Sequence, residues 1–407
     1  MSDYCAQCDF VIELARRLHQ GGSTAPRLED VINAVSRKLG LDTHIWSSPT
    51  AIIATVRPLG VANDEQTMTR VLRLEPGEIH LRRLWRFDDI AERVVAGKLS
   101  AADGMLALEQ AAQPDPARRQ WLETCFGYLF ASAGVAGLLK GSPADIGSAA
   151  AMGLMLGVLA QLTPSMPRLA ATFEALAAFL VALLSAWIAA RLAPVSPLVL
   201  TAGLIVLLPG LTLTTAAAEV ASQHLVSGTA RFAGAIAVLL KLAFGALVGS
   251  KLASALGWLP MPTPSYLQPI GMQVVSLLVA AAAFALLFKA RIRDWWVVFL
   301  AASISYGSAQ LAIPALGAEL GLFVAAFIVT VLSNIYARWA NRPGATFRLP
   351  GLILLVPGSV GFKSLTFVFE KDVFLGLDTA FSVVTLIAAL VAGLLLGNSV
   401  VPARQGM

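Results

Sequence analysis

A mainly α-helical, polytopic membrane protein with two inverted five-helix repeats behind a small α/β cytoplasmic domain is the fold class this sequence predicts. Three observations predict it. Of 407 residues, 57% are hydrophobic and only 14% charged, against about 25% charged in an average soluble domain. The charge is uneven: residues 1–120 hold 15 of the 30 Lys and Arg and 16 of the 25 acids. Finally, Leu204-Ile205-Val206-Leu207-Leu208-Pro209-Gly210 recurs as Leu352-Ile353-Leu354-Leu355-Val356-Pro357-Gly358, at an offset of 148 residues. That offset also pairs Gly203 with Gly351, Gly228 with Gly376, Gly245 with Gly393 and Gly249 with Gly397. The expected units are a domain over 1–118 and repeats over 119–255 and 266–407.

Within residues 1–118, Phe10, Val11, Leu14 and Leu18 share one face of a helix over 9–20. Leu28, Val31, Ile32, Val35 and Leu39 share one face of a helix over 26–39. Gly21-Gly22 separates the two, and Pro26 suits a first helical position. Residues 43–57 form a hairpin about Ser48-Pro49, Thr69–Leu74 supplies a third strand, and helices follow near 81–97 and 100–112. Gln113-Pro114-Asp115-Pro116 ends the domain.

A hydrocarbon core of about 30 Å needs about 20 apolar residues in a helix. Ten stretches qualify: 121–139, 144–161, 171–193, 198–217, 227–250, 267–288, 294–314, 318–337, 349–368 and 373–397. With the N-terminus inside, the cytoplasmic links carry Arg168, Arg231, Lys289, Arg291, Arg293, Arg338, Arg342, Arg348 and Arg404. The outer links carry Lys140, Arg191, Lys251 and Lys371. This asymmetry places both termini in the cytoplasm and the chain in the inner (cytoplasmic) membrane. Five spans per repeat is odd, so the halves run in opposite directions. Trp121, Trp258, Trp295, Trp296 and Trp339 fall at span ends, the interfacial position that suits indole.

Each Pro-Gly interrupts an apolar span, and duplicated broken helices point to a transporter's binding site. Pro209, Gly210, Thr212, Thr214, Thr215, Pro357, Gly358 and Lys363 are the candidate substrate-binding residues. Proline frees a carbonyl, and a helix N-terminus offers amides to a carboxylate. Threonine hydroxyls suit a hydroxyl-bearing ligand, although back-bonding to the preceding turn is their common fate in apolar helices. Glu219, Asp378 and Lys241 are candidates for ion coupling, because an ionisable group at bilayer depth is costly. Glu174, near a span start, reads as interfacial.

The pI of about 9.3 does not indicate nucleic-acid binding, because the bases are interspersed with acids or sit at span ends. Cys5-x-x-Cys8 lacks a second pair to complete a zinc site. His19, near a helix end, reads as a cap or surface residue. The N-terminus has no apolar stretch of signal-peptide type. No P-loop, G-x-S-x-G or H-E-x-x-H pattern is present, so neither an enzyme nor an ATP-driven pump is expected, and no cofactor is implied.

Leu18-His19-Gln20-Gly21-Gly22-Ser23-Thr24-Ala25-Pro26-Arg27-Leu28-Glu29 resembles the threonine/serine exporter family. So do Leu39-Gly40-Leu41, Ser48-Pro49-Thr50, the Arg-rich stretch 81–108 and the two Pro-Gly spans. The resemblance implies a cytoplasmic N-terminal domain, ten spans and export of small hydroxy amino acids driven by an ion gradient; a buried carboxylate, whose pKa desolvation lifts, would suit the proton as coupling ion. Some members, split over two chains, are associated with succinate. Two alternatives are carried forward: a dicarboxylate exporter, which Lys241 and Lys363 as paired cations would favour, and a membrane-anchored signalling or hydrolytic domain. An oligomer in the bilayer is compatible with all three.

Overall fold

The computed structural model describes residues 2–60, 67–263, 265–340 and 342–402. Arg404, counted above among the link cations, lies outside them.

The N-terminal region is α1 (Ser2–Gln20), α2 (Ala25–Lys38), β1 (Leu41–Ser48), β2 (Ala51–Pro58), β3 (Met68–Arg73), α3 (Leu81–Val95) and α4 (Ala101–Ala111). The sheet is antiparallel in the order β1-β2-β3. Ser48 pairs with Ala51 across the Pro49-Thr50 turn, and the Ala51 amide donates to Ser48 Oγ at 3.1 Å. On β2, Ile52, Ala54 and Val56 face inward onto Phe10, Leu14, Leu18 and Ile32, so the period of two sets the register. Helix α1 begins at Ser2 rather than near residue 9, because Cys8 is itself in this core and Tyr4 packs on it. Cys5 is exposed.

His19 is a correction. Instead of capping at the surface it is buried, with Nε2 against Ser48 O at 3.1 Å. Burial lowers its pKa below the usual imidazole value.

His80 precedes α3. Its Nδ1 accepts from the Arg83 amide at 3.3 Å and its Nε2 faces Asp115 Oδ2 at 3.3 Å. Burial, reinforced by Arg83, pushes its pKa down to about 3. The folded domain therefore holds a neutral imidazole that the unfolded chain protonates below about pH 6.5. The stability this group contributes is present above about pH 6.5 and falls as pH drops from there towards 3. Unfolding midpoints followed by tryptophan fluorescence should show a smaller acid-induced loss in His80→Asn, which keeps a cap but does not titrate.

The remaining chain is helical: α5 (Ala117–Leu138), α6 (Pro143–Leu162), α7 (Pro167–Arg191), α8 (Leu198–Gly203), α9 (Gly210–Ala221), α10 (Leu225–Ala255), α11 (Ile270–Leu287), α12 (Trp295–Leu316), α13 (Ala318–Ala340), α14 (Ala345–Ile353), α15 (Gly358–Phe369) and α16 (Val373–Val400). Among the described residues, eight helical segments are long and apolar enough to cross a membrane. The two other expected stretches differ for visible reasons. One, α5, opens with Arg118, Arg119 and Glu123. The other, 198–217, is split into α8 and α9.

The 148-residue offset is written into the backbone. Helices α9 and α15 start at Gly210 and Gly358, and α10 and α16 at Leu225 and Val373. Pro209 sits at φ −80°, ψ 38° and Pro357 at φ −81°, ψ 39°. Gln223 and Lys371, both at positive φ, occupy equivalent turns. Gly245 lies against the Ala175 carbonyl and Gly393 against that of Phe323, so α10 packs on α7 as α16 packs on α13. Helices α5 and α11 are also equivalent and are packed antiparallel, with Gly127 on Leu287, Gly134 on Ala280 and Gly137 on Ser276.

Candidate functional site

Two helix breaks meet in the bundle. Between α8 and α9 the chain leaves the helix at Leu204 and re-enters at Gly210; between α14 and α15 it leaves at Leu354 and re-enters at Gly358. Proline supplies no amide to either break. A Cβ built on Gly210 would lie 2.9 Å from Gly358 Cα and 3.0 Å from its N, and the converse distances are the same. Val356 flanks Gly210, and the equivalent Leu208 flanks Gly358. The backbones thus touch about a local two-fold, and only glycine permits that approach.

The chemistry follows from the helix ends. The amides of Leu211 and Thr212 in α9, and of Ser359 and Val360 in α15, have no carbonyl partner among the described residues. Each N-terminus carries about half a positive charge. Two converging N-termini repel one another unless an anion lies between them, so the arrangement favours a carboxylate.

Thr214, on the first turns of α9, is buried and its Oγ1 has no hydrogen-bond partner among the described residues. Thr330 and Thr366, also mid-helix, bond back to Ala326 O and Phe362 O. Thr214 escapes that common fate and leaves a hydroxyl for something else. Thr212 is exposed and Thr215 half-buried.

A family profile described as "Putative threonine/serine exporter" matches residues 9–253. A second, described as "Threonine/Serine exporter, ThrE", matches residues 273–400. The chain belongs to the threonine/serine exporter family. Curated relatives are fungal. An uncharacterized protein of Schizosaccharomyces pombe is 24% identical over 93% of this chain and 46% of its own length. Pheromone-regulated membrane protein 10 of Pichia sorbitophila is 24% identical over 89% of this chain and 37% of its own. Its namesake from Saccharomyces cerevisiae is 25% identical over 89% and 48%. The chain thus spans less than half the length of these relatives. No solved structure matches it.

The other sequence-predicted residues of this exporter-family chain are Lys363, on the second turn of α15 at the position equivalent to Thr215, and Glu219, Lys241 and Asp378, on later turns or other helices. Glu219, at the end of α9, is 1% exposed. It accepts from Ser227 Oγ at 2.7 Å, from Arg231 Nε at 3.0 Å and from the amide of Ala25, in α2, at 3.1 Å. The carboxylate is therefore committed to three donors, one of them from the N-terminal region. Lys241 pairs with Glu174 at 3.4 Å between α10 and α7, so Glu174 is that lysine's counter-ion. Lys363 and Asp378 are exposed, and neither side chain makes a hydrogen bond or ion pair among the described residues. The cap of α16 is Asp372, bonded to the Leu375 amide at 3.2 Å, which places Asp378 inside the helix.

Sequence reasoning missed His224, whose Nε2 meets Glu29 Oε2 at 3.2 Å, and read Arg348, which donates to Asn334 Oδ1 at 2.6 Å, only as a link charge. A basic residue near a helix end carries no pairing signal of its own. Arg231 was legible only as a link charge, although Glu219 stands twelve residues before it across a turn.

Proposed function

We propose that the chain is a secondary transporter that exports small hydroxy amino acids, threonine and serine, across the cytoplasmic membrane between its two broken helices. The reciprocal approach of Gly210 and Gly358 carries this reading. The substrate carboxylate binds the free amides of α9 and α15. Its ammonium takes carbonyls released at the breaks, since Glu219 is already engaged by three donors. The substrate hydroxyl bonds Thr214. A passive anchor needs no duplicated broken helix, so the signalling or hydrolytic alternative is set aside. The dicarboxylate alternative loses support because Lys241 is neutralised by Glu174.

The antiparallel packing of α5 on α11 supports an inverted repeat, and the link charges support ten spans with both termini inside. Single cysteines check this: position 260 should label from outside and position 345 from the cytoplasm, and the reverse pattern contradicts it.

For proton coupling we assign Asp378, a carboxylate with no counter-ion among the described residues, two residues beyond Gly376, where α16 meets α15 at Ser364. Asp378→Asn should flatten the pH dependence of efflux at unchanged membrane abundance. A wild-type profile removes the assignment. The experiment for the function itself is efflux of preloaded threonine, serine, valine and succinate from proteoliposomes, with and without a proton gradient. Threonine and serine should leave fastest. A site built to bond a hydroxyl rejects an analogue lacking it by up to ~10⁴-fold in favourable cases. Transport of succinate alone contradicts the reading.

A further inference from the structure

The N-terminal region is bonded to both halves of the helical bundle. On the first half, α2 meets the α9–α10 turn: the Ala25 amide donates to Glu219 Oε1 at 3.1 Å, and Glu29 faces His224 at 3.2 Å. On the second half, the start of α3 meets the α11–α12 turn. The Leu81 amide donates to Phe288 O at 2.9 Å, the Arg82 amide to Lys289 O at 3.3 Å, and Arg291 lies over the Trp85 ring at 3.7 Å. Ile79 and Leu81 also join an apolar cluster with Phe284 and Phe288 that extends to Leu211 and Leu354, the residues bordering the two breaks. The N-terminal region therefore continues the packing that leads to the candidate site.

We propose that the N-terminal domain is the inner gate: α2 and the segment before α3 close the cytoplasmic approach to the breaks, and α2 must release α9 and α10 for substrate to enter. This rests on the transport reading above. Alternating access moves one repeat against the other, and a body bonded to both repeats cannot keep every bond through that motion. The α3 attachment combines two main-chain bonds, the Arg291–Trp85 contact and buried apolar surface, whereas α2 is held by one amide on Glu219 and by the Glu29–His224 contact, whose side chains are 18% and 24% exposed. The partly exposed Glu29–His224 pair is weak and the Ala25 amide adds a single hydrogen bond, so the α2 side opens while the α3 side acts as the hinge.

Two measurements test the gate. In Glu29→Cys/His224→Cys, the protein cross-linked by a short bis-methanethiosulfonate reagent, which spans the gap the two long side chains fill, should export threonine at least about tenfold more slowly than the same protein after reduction. Export within about twofold of the reduced protein overturns the proposal. Hydrogen–deuterium exchange needs no transport. In Glu29→Gln/His224→Gln, the first-turn amides of α9 and α15 should exchange at least about fivefold faster than in the native protein. Unchanged exchange there overturns the gate. If the reduced protein moves no substrate while exchange accelerates, the transport reading fails and the gate stands.

Discussion

Gly210→Val is expected to reduce threonine efflux at least about tenfold while membrane abundance stays within about twofold of the native level. The substitution puts carbon atoms where Gly358 Cα already lies 2.9 Å from the first of them. Val356 can rotate away, but the Gly358 atoms in contact are backbone, so no rotamer change relieves that clash and the two breaks must move apart. Overpacking of this kind costs about 1–3 kcal/mol, which a bundle of this size tolerates. A binding site assembled from amides on both sides of the contact does not tolerate it, because sub-ångström placement governs such sites. Gly358→Val should give the same loss, since the distances are reciprocal. Gly147→Val, where a Cβ meets nothing within 4 Å, is the control that should transport normally. Efflux at native rates in both crossing variants would remove the breaks from the transport path.

The second large effect is on stability. Glu219→Ala should destabilise the protein by about 3 kcal/mol, the lower part of the range for breaking a buried ion pair. Three donors converge on a carboxylate that is 1% exposed. Its removal leaves the Ala25 amide and Ser227 hydroxyl buried without an acceptor. Arg231, which is 20% exposed, recovers some hydration, which keeps the figure from the top of the range. The transition to follow is thermal unfolding of the detergent-solubilised protein. Undocking of the N-terminal domain should precede unfolding of the helices. A native unfolding temperature would mean that Glu219 carries no such load.

Eight of the ten expected spans and the two breaks were legible because each rests on a local signal: a run of apolar residues, a Pro-Gly, an offset that needs no gap. The hairpin at Ser48 was legible for the same reason, through alternation and a proline turn. What was hidden is tertiary. Glu219 in sequence looks like an acid stranded near a span end; only the fold brings Ala25, 194 residues away, onto its oxygen. Lys241 likewise reads as a lone mid-span cation until α7 delivers Glu174. His19 reads as an end-of-helix residue because periodicity does not say that a hairpin covers it. The threonines shared one description in the sequence, and only packing separates buried, unpartnered Thr214 from exposed Thr212.

The central claim is that substrate sits between the two breaks, touching both. Single cysteines at Thr212 and at Ser359, one in each first turn, test it in proteoliposomes that export threonine. Labelling by a small thiol reagent should slow at both positions when threonine is added, and should be unaffected by valine. Unchanged labelling at both positions during active threonine export contradicts the account.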